Sequence, residues 1–360
     1  MKTSRVTLTG VLLLALVVGA CSAASRIGAL QPPSEATSGA AKASLIQFIQ
    51  VARPAIQLGV GIDFYTYLGQ DVLSAAEKTV PYVKSLHANA ISISFPYFMR
   101  GEHASAVYAS PETPSPAQLA QVASVAEKAG LYVSLRPLLD EFRIGKSRTD
   151  WKPDNPAKWF ASYTRFLLPY AEMAQQTHIP ELIEGTEFSL FGHSRRWNRL
   201  VGALRKVYTG TLAYDSNWGI PIRNNGGSGV AEGVDAYQPM AVPANARQAR
   251  LTAAWTAYDR TLPQGTVEFE LDIAAVRGAY RRPYQVSGWN EAKLAPYIQV
   301  RWFTAACDAL VRAKLGGIYY WAVGLGQSTS IPPTLSEPGS WVDSPGATAV
   351  AACFKRIRAR

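Results

Sequence analysis

The chain has 360 residues, of which 48% are hydrophobic and 17% are charged, and it contains 9 Trp, 17 Tyr and 12 Phe. This composition excludes disorder for most of the chain and is sufficient for a large buried core. The formal net charge is +10, but no nucleic-acid-binding motif accompanies it, so we expect no nucleic-acid partner. A basic surface near anionic lipid or cell-wall polymer accounts for the charge, and a polyanionic substrate is the alternative.

Residues 1–21 have the pattern of an export signal. Lys2 and Arg5 precede an apolar core at 11–18, which is too short to span a bilayer as a helix. Cys21 follows two small residues, as in a bacterial lipoprotein signal that is cleaved before a lipid-modified cysteine. Ordinary secretion with an incidental cysteine is the alternative. A lipidated Cys21 would anchor the protein on the outer side of a membrane.

The rest of the chain divides into two regions. Residues 22–54 begin with a stretch rich in Ala, Ser, Gly and Pro, which predicts a flexible tether. Residues 55–360 are predicted to form one catalytic domain, and we expect it to be a monomer. Cys307 and Cys353 lie in predicted helices of this domain, and export permits a disulfide between them. Two buried free thiols would fit the sequence equally well.

Strand-like and helix-like segments alternate along this domain, with short joints between them. The predicted strands occupy 59–65, 90–95, 131–135, 182–187, 211–217, 234–237, 266–270 and 318–321. The predicted helices occupy 74–86, 116–129, 156–170, 195–208, 246–262, 292–314 and 347–358, and the helix after the fifth strand is short or absent. Pro96 is expected to end the second strand.

Eight such units are the number in a (β/α)8 barrel, so the predicted fold class is α/β with a single barrel of this kind. An open, doubly wound sheet is the alternative. It lacks support because no Gly-x-Gly-x-x-Gly motif follows the first predicted strand.

Two glutamates stand where chemistry is expected in such a barrel. Active sites lie at the C-terminal ends of the strands, and Glu187 and Glu270 each end a short apolar run. Two carboxyls that face one cavity are the minimum equipment for cleaving a glycosidic bond. Ordinary ion-pair partners are the alternative interpretation of both residues.

Other strand ends carry polar and aromatic side chains. Sugars need this mixture, because their hydroxyls take hydrogen bonds while their C–H faces stack on aromatic rings. Each candidate for substrate binding could instead have a structural role at the rim. The candidates are Arg136, Asp140, Asn217, Trp218, Tyr237 and Trp321.

Competing chemistries have little support in the sequence. The four histidines are scattered, without an HxxxH or HxH pair, so we expect no metal site. No Gly-x-Ser-x-Gly elbow and no Walker-type phosphate loop are present. The predicted reaction therefore needs neither a metal nor an organic cofactor.

Six stretches, in this order, resemble glycoside hydrolase family 113, and the resemblance covers roughly residues 57 to 330. They are 85–89 (SLHAN), 135–140 (LRPLLD), 184–187 (EGTE), 214–218 (YDSNW), 270–273 (ELDI) and 319–321 (YYW). The family consists of retaining (β/α)8 enzymes that include endo-β-1,4-mannanases.

The resemblance implies that Glu187 is the general acid/base, that Glu270 is the nucleophile, and that the polysaccharide substrate is β-1,4-mannan. In a retaining site the two carboxyl groups are about 5–5.5 Å apart. An arginine locked into a buried pair with either glutamate would overturn the hydrolase interpretation and leave only an anchored barrel. The alternatives are hydrolysis of another cell-wall or matrix glycan and a non-catalytic carbohydrate-binding lipoprotein.

The sequence departs from the family pattern after the second glutamate, where Asp272 replaces an expected glycine. Glu268 is an alternative nucleophile, because on a regular strand it points to the same side as Glu270. Glu184 is an alternative acid, although its offset of three residues from Glu187 would turn it outward on a regular strand.

Overall fold

A computed structural model describes residues 49–220, 222, 225–285, 288–289, 293–327 and 330–359. Cys21, the predicted signal and most of the predicted tether lie outside these residues. Among the residues described, none of the helices combines the length and apolar character needed to cross a membrane.

Nine strands and seven α-helices make up the described part of the domain. The strands are β1 (Gln57–Asp63), β2 (Ala90–Met99), β3 (Val107–Tyr108), β4 (Tyr132–Leu139), β5 (Glu181–Thr186), β6 (Thr211–Asn217), β7 (Ala231–Asp235), β8 (Val267–Leu271) and β9 (Gly317–Gly324). The helices are α1 (Val72–Ser85), α2 (Pro116–Lys128), α3 (Pro156–Gln176), α4 (Trp197–Leu204), α5 (Gln248–Asp259), α6 (Tyr297–Ala313) and α7 (Pro345–Arg358).

The eight long strands form a closed parallel barrel, which confirms the predicted fold. Each is hydrogen-bonded to its neighbours in the order β1-β9-β8-β7-β6-β5-β4-β2, and β1 also pairs with β2 to close the ring. The short β3 adds an antiparallel pair to the outer end of β2. Between β6 and β7 the described residues contain no helix, as expected from the sequence.

The prediction that Pro96 ends the second strand is wrong, because β2 continues to Met99. Pairing between β1 and β2 stops at Asp63 and Ser94, and β3 pairs with β2 only at Phe98 and Met99, so at Pro96 β2 pairs with β4 alone. A proline lacks the N–H that a second partner would need, and it is tolerated where one edge is free.

Apolar side chains fill two separate regions. The larger core lies between the strands and the surrounding helices. A smaller cluster fills the inside of the barrel with residues such as Tyr132, Phe269 and Tyr319. Gly59 makes room for one of these rings, because a Cβ there would lie 2.1 Å from Tyr319. Val51, near the end of the predicted tether, packs against the same cluster.

The two cysteines of the domain form a disulfide between α6 and α7. The Cys307 and Cys353 sulfurs are 2.01 Å apart, and their Cα atoms are 5.9 Å apart. The structure thus decides between the two possibilities that the sequence allowed.

Irregular pairing in two strands sets the direction of the acidic side chains. The register between β5 and β6 shifts between Ile183 and Gly185. A second shift separates Glu268 from Glu270, relative to both β7 and β9. Such bulges insert an extra residue and change which face the following side chains occupy.

Candidate active site

A buried arginine gathers three carboxylates at the C-terminal end of the barrel. Arg136 lies within β4, three residues before its end. Its Nε donates to Asp215 Oδ2 at 2.9 Å. Its Nη2 donates to Asp235 Oδ2 at 2.5 Å, and its Nη1 donates to Glu270 Oε2 at 2.6 Å. One cation therefore bridges β4, β6, β7 and β8 across the barrel interior.

This cluster holds more acid than base. Burial raises the pKa of Asp215, and it raises the pKa of Asp235 well above the usual range, although Arg136 opposes both shifts. Burial favours the neutral form of a carboxyl that lacks sufficient positive charge nearby. Arg136 was predicted to bind substrate, but in this structure it is fully buried and its donors are directed at carboxylates.

Glu270 sits at this cluster with both carboxylate oxygens hydrogen-bonded. Arg136 donates to Oε2, and the Tyr237 hydroxyl donates to Oε1 at 2.7 Å. Two such donors fix the orientation of the carboxylate. The buried pairing with an arginine that was expected to overturn the hydrolase interpretation is thus present. Arg136 and Glu270 do not form an exclusive pair, because Asp215 and Asp235 also bind this arginine.

Glu187 follows β5 directly and faces the same region. Its backbone has a positive φ of 59°, a conformation that is uncommon outside glycine, and its N–H donates to the Asp215 carbonyl at 2.7 Å. Its Oε2 lies 2.9 Å from Nη2 of Arg148. The carboxyl therefore lies beside Arg148 and close enough to Glu270 and Asp215 to interact with their charges.

The surroundings of Glu187 give it the titration of a general acid. Burial raises its pKa to about 7, helped by the negative charges of Glu270 and Asp215 and opposed by the positive charge of Arg148. The ideal pKa of a catalytic acid/base lies close to the working pH. Glu270 is therefore near enough to Glu187 to affect its protonation.

Three further polar side chains lie at the C-terminal ends of β1, β4 and β6. At the end of β1, Asp63 has its pKa raised to about 6 by burial and by the charge of Glu270. Asp140 accepts a hydrogen bond from the Tyr65 hydroxyl at 3.1 Å. Asn217 ends β6, and its Oδ1 is buried without a hydrogen-bond partner among the described residues.

Two tryptophans predicted to bind substrate also lie at this end of the barrel. The Trp321 ring centroid is 5.5 Å from the Arg136 guanidinium carbon. Trp218 stacks on Tyr284, with ring centroids 5.7 Å apart and an angle of 11° between the planes. Trp321 and Asp63 also line a cavity of about 420 Å³ that includes Asp272.

Asp272 replaces the glycine of the family pattern with a buried side chain, which is 7% exposed. Burial raises its pKa well above the usual range. Its Oδ2 lies close to Gly339 in a later loop, so close that a Cβ at this glycine would be only 2.6 Å from the oxygen. The departure therefore places an additional carboxyl in the wall of this cavity.

The two alternative glutamates face away from the site. The expectation that Glu268 shares a side with Glu270 is wrong, because the register shift turns Glu268 toward the helix layer, where it lies near Asp259 of α5. Glu184 faces outward as expected, near Tyr163 and Tyr214. Neither carboxyl has a hydrogen-bond partner within the described ranges.

Arg148 was not predicted from the sequence. It lies in a single 3-10 turn, Arg148–Asp150, between β4 and α3. The polar stretch around it carries no motif or periodicity that would mark one arginine as part of a site. In the described part of the chain, no group of three or more His, Cys, Asp or Glu side chains could hold a metal ion.

A barrel with two interacting acids at the C-terminal ends of β5 and β8 is the architecture of a glycoside hydrolase. The sequence profile of Glycoside Hydrolase Family 113 matches residues 64–323. The chain belongs to this family, as the resemblance predicted, and it is a glycoside hydrolase.

Solved structures support the same fold. A GH113 β-1,4-mannanase aligns with a TM-score of 0.68 at 14% identity, covering 84% of this chain and 99% of that one. The GH113 β-mannanase AaManA from Alicyclobacillus acidocaldarius, in complex with ManMIm, aligns with a TM-score of 0.68 at 19% identity, with 84% and 98% coverage. A β-glucuronidase from Faecalibacterium prausnitzii aligns with a TM-score of 0.53 at 12% identity, with 87% and 51% coverage. No curated protein sequence matches the chain.

Proposed function

We propose that this glycoside hydrolase cleaves β-1,4-mannan with retention of anomeric configuration, using Glu187 as general acid/base and Glu270 as nucleophile. The observation that carries the proposal is that two glutamate carboxyls at the same end of the barrel have different surroundings. Burial raises the pKa of Glu187 to about 7, whereas Glu270 is held by an arginine and a tyrosine hydroxyl. Environments that separate two acids in this way define their roles.

The reaction proceeds in two displacements. Protonated Glu187 gives its proton to the departing glycosidic oxygen while Glu270 attacks the anomeric carbon, so the C–O bond to the leaving group breaks as an ester forms. Glu187, now ionised, takes a proton from water. That water attacks the same carbon, the ester bond breaks, and Glu270 is released as a carboxylate.

The charge of the site favours a neutral glycan. Its carboxyls outnumber its two arginines, Arg136 and Arg148, and both arginines are already paired with acids. A uronic-acid polymer would find neither guanidinium free to pair with its carboxylates, whereas mannan carries no charge and needs no such partner. The polyanionic substrate that the overall charge of +10 allowed is therefore disfavoured.

The substrate is chosen on family membership and on the mannanases among the similar structures. Reducing-sugar release should be measured on β-mannan, β-glucan, xylan and chitin. Release from mannan above the other three supports the proposal. Release only from another polymer would replace the substrate and leave the chemistry intact.

A covalent trap tests the mechanism. Incubation with 2-deoxy-2-fluoro-β-mannosyl fluoride should add one fluoromannosyl group, and peptide mass mapping should locate it on Glu270. A label on any other carboxyl would refute the assignment. Sugar binding without any label, together with no hydrolysis of the four polymers, would favour a non-catalytic carbohydrate-binding protein.

We also propose that the enzyme is exported and anchored through a lipid on Cys21. The disulfide between Cys307 and Cys353 supports export, because such bonds persist in oxidising compartments. Labelled palmitate should be incorporated into the full chain produced in a bacterial host and not into the Cys21→Ser variant. Equal labelling of both, or of neither, would contradict the anchor.

A further inference from the structure

Arg148 is the cation in contact with the proposed acid/base. Its Nη2 lies 2.9 Å from Glu187 Oε2, and the two side chains are only 15% and 11% exposed. The Nε of Arg148 is buried without a hydrogen-bond partner among the described residues. The guanidinium is therefore aimed into the site and not into solvent.

Contacts on the opposite side hold Arg148 in this position. Glu141 Oε1 accepts from the Arg148 backbone N–H at 2.7 Å and lies 3.4 Å from Nη1. The same oxygen accepts from the Ser147 hydroxyl at 3.1 Å, and Nη1 also donates to the Leu139 carbonyl at 3.4 Å. Glu141 thus ties the turn to the end of β4, and the side chain of Arg148 spans from Glu141 to Glu187.

Charged groups reach Glu187 from four strands and from this turn. Glu270 on β8, Asp215 on β6 and Asp235 on β7 are its carboxyl neighbours. Arg136 on β4 and Arg148 are the positive ones. Arg136 is engaged by three carboxylates, so Arg148 is the cation that acts most directly on Glu187.

We propose that Arg148 is a positioning residue that orients the Glu187 carboxyl and stabilises its ionised form for the second displacement. This inference rests on the proposed function of Glu187. In the glycosyl-enzyme, Glu270 is a neutral ester and Glu187 must be a carboxylate to accept a proton from water. The ion pair with Arg148 keeps Glu187 ionised and pointed at that water.

The two displacements should therefore respond differently to the loss of Arg148. The first displacement needs protonated Glu187, and the loss of a nearby cation favours that protonated form. The second needs ionised Glu187, so hydrolysis of the glycosyl-enzyme becomes slow near neutral pH. In the Arg148→Met variant we expect kcat on an activated aryl β-mannoside to fall about tenfold or more at pH 6. The ratio kcat/KM should fall less, and a pre-steady-state burst should appear.

The pH profile gives a second readout. An opposite charge at this distance lowers the pKa of a carboxyl by about 1–3 units. The alkaline limb of kcat/KM should therefore move upward by about one pH unit or more in Arg148→Met. The Arg148→Lys variant keeps the charge and should restore most of the wild-type profile. A purely structural role would lower kcat and kcat/KM together and leave the limb in place.

A matched control comes from the same loop. Lys146 pairs with Glu102 at 2.9 Å on the surface and does not contact Glu187. The Lys146→Met variant removes one positive charge and one ion pair nearby, and we expect wild-type kinetics. An equal shift of the alkaline limb in this control would show that general charge, and not contact with Glu187, is responsible.

Carboxyl ¹³C NMR tests the inference independently of turnover. The Glu187 resonance, assigned by its absence in Glu187→Gln, should titrate at a higher pH in Arg148→Met than in wild type. An unchanged titration would overturn the role of Arg148 even if the enzyme is active. A shifted titration in an enzyme that hydrolyses no tested glycoside would instead overturn the proposed function and preserve the ion-pair effect.

Discussion

The barrel has two kinds of buried carboxyl, and their surroundings differ sharply. At the rim, Glu187 and Glu270 each contact an arginine, within 2.9 Å and 2.6 Å respectively. In the layer between strands and helices, Glu184 and Glu268 are completely buried and have no hydrogen-bond partner in the portion of the chain that is described. Burial raises the pKa of both helix-facing acids well above the usual range.

The comparison shows that burial by itself does not identify a catalytic acid. All four glutamates are buried, but only Glu187 and Glu270 contact an arginine. These contacts fix the orientation of each carboxyl and place a positive charge beside it. A buried acid without a partner becomes neutral and behaves as a polar component of the core. The arginine contacts that were expected to overturn the catalytic interpretation therefore distinguish the proposed catalytic pair from the helix-facing pair.

Conversion of each glutamate to glutamine gives the largest contrast. Glu187→Gln removes the transferable proton and should lower kcat/KM about 10²–10⁴-fold. Glu270→Gln removes the nucleophile and should leave no measurable turnover. Both changes keep the side-chain shape, so circular dichroism should show a folded barrel.

The helix-facing residues supply matched controls. Glu184→Gln and Glu268→Gln change the same residue type on the same two strands, and activity should remain within a few-fold of wild type. Loss of turnover in Glu268→Gln, with turnover retained in Glu270→Gln, would reverse the assignment of the nucleophile.

Removal of the central cation should have the next largest effect. Arg136→Met leaves Asp215, Asp235 and Glu270 buried without their common partner, and loss of one member of a buried pair typically costs about 3–5 kcal/mol. Urea denaturation should show this decrease in the free energy of unfolding. Arg143→Met breaks an exposed pair with Glu112 and should cost less than about 1 kcal/mol. Similar losses in the two variants would contradict the special role of the buried cluster.

The activity of the wild-type enzyme should depend on pH through Glu187. The general acid must be protonated, and its pKa is raised to about 7. The ratio kcat/KM should therefore fall about tenfold per pH unit on the alkaline side of this value. Thermal unfolding measured across the same range separates titration from denaturation. A profile that stays flat to pH 9, in a folded enzyme, would exclude Glu187 as the acid.

The smallest effect concerns the stability contributed by Glu268. Its pKa is higher in the folded protein than the usual 4.5, so the folded state binds the proton more strongly and the free energy of unfolding falls as pH rises above that value. Glu268→Gln should remove this loss, so the free energy of unfolding at pH 8 should be higher than in the wild type.

An exposed glutamate is the control for this pH effect. Glu172 is exposed on α3, and Glu172→Gln should change the free energy of unfolding by less than about 0.5 kcal/mol. A wild-type slope that persists in Glu268→Gln would mean that Glu268 is ionised in the folded state, and the distinction between the two kinds of acid would fail.

Much of the fold followed from local sequence patterns. Alternating strand and helix segments predicted eight strand–helix units. The structure contains all eight strands, and the helix after β6, which was expected to be short or absent, does not appear among the described residues. Ser115 and Gln118 form the capping box that starts α2, a signal that depends only on neighbouring residues. Glu187 and Glu270 could be located because a glutamate that ends an apolar run is visible in the sequence itself.

The sequence by itself thus determined the barrel, the family and the two acids at strand ends, because each depends on periodicity or on residues close along the chain. Only the tertiary structure decided which way the acids point and what charge surrounds them. The register shift that turns Glu268 away from Glu270 depends on pairing with β7 and β9. The contact between Arg148 and Glu187 joins a loop after β4 to the end of β5. Such contacts arise from the closure of the barrel, which no local pattern encodes.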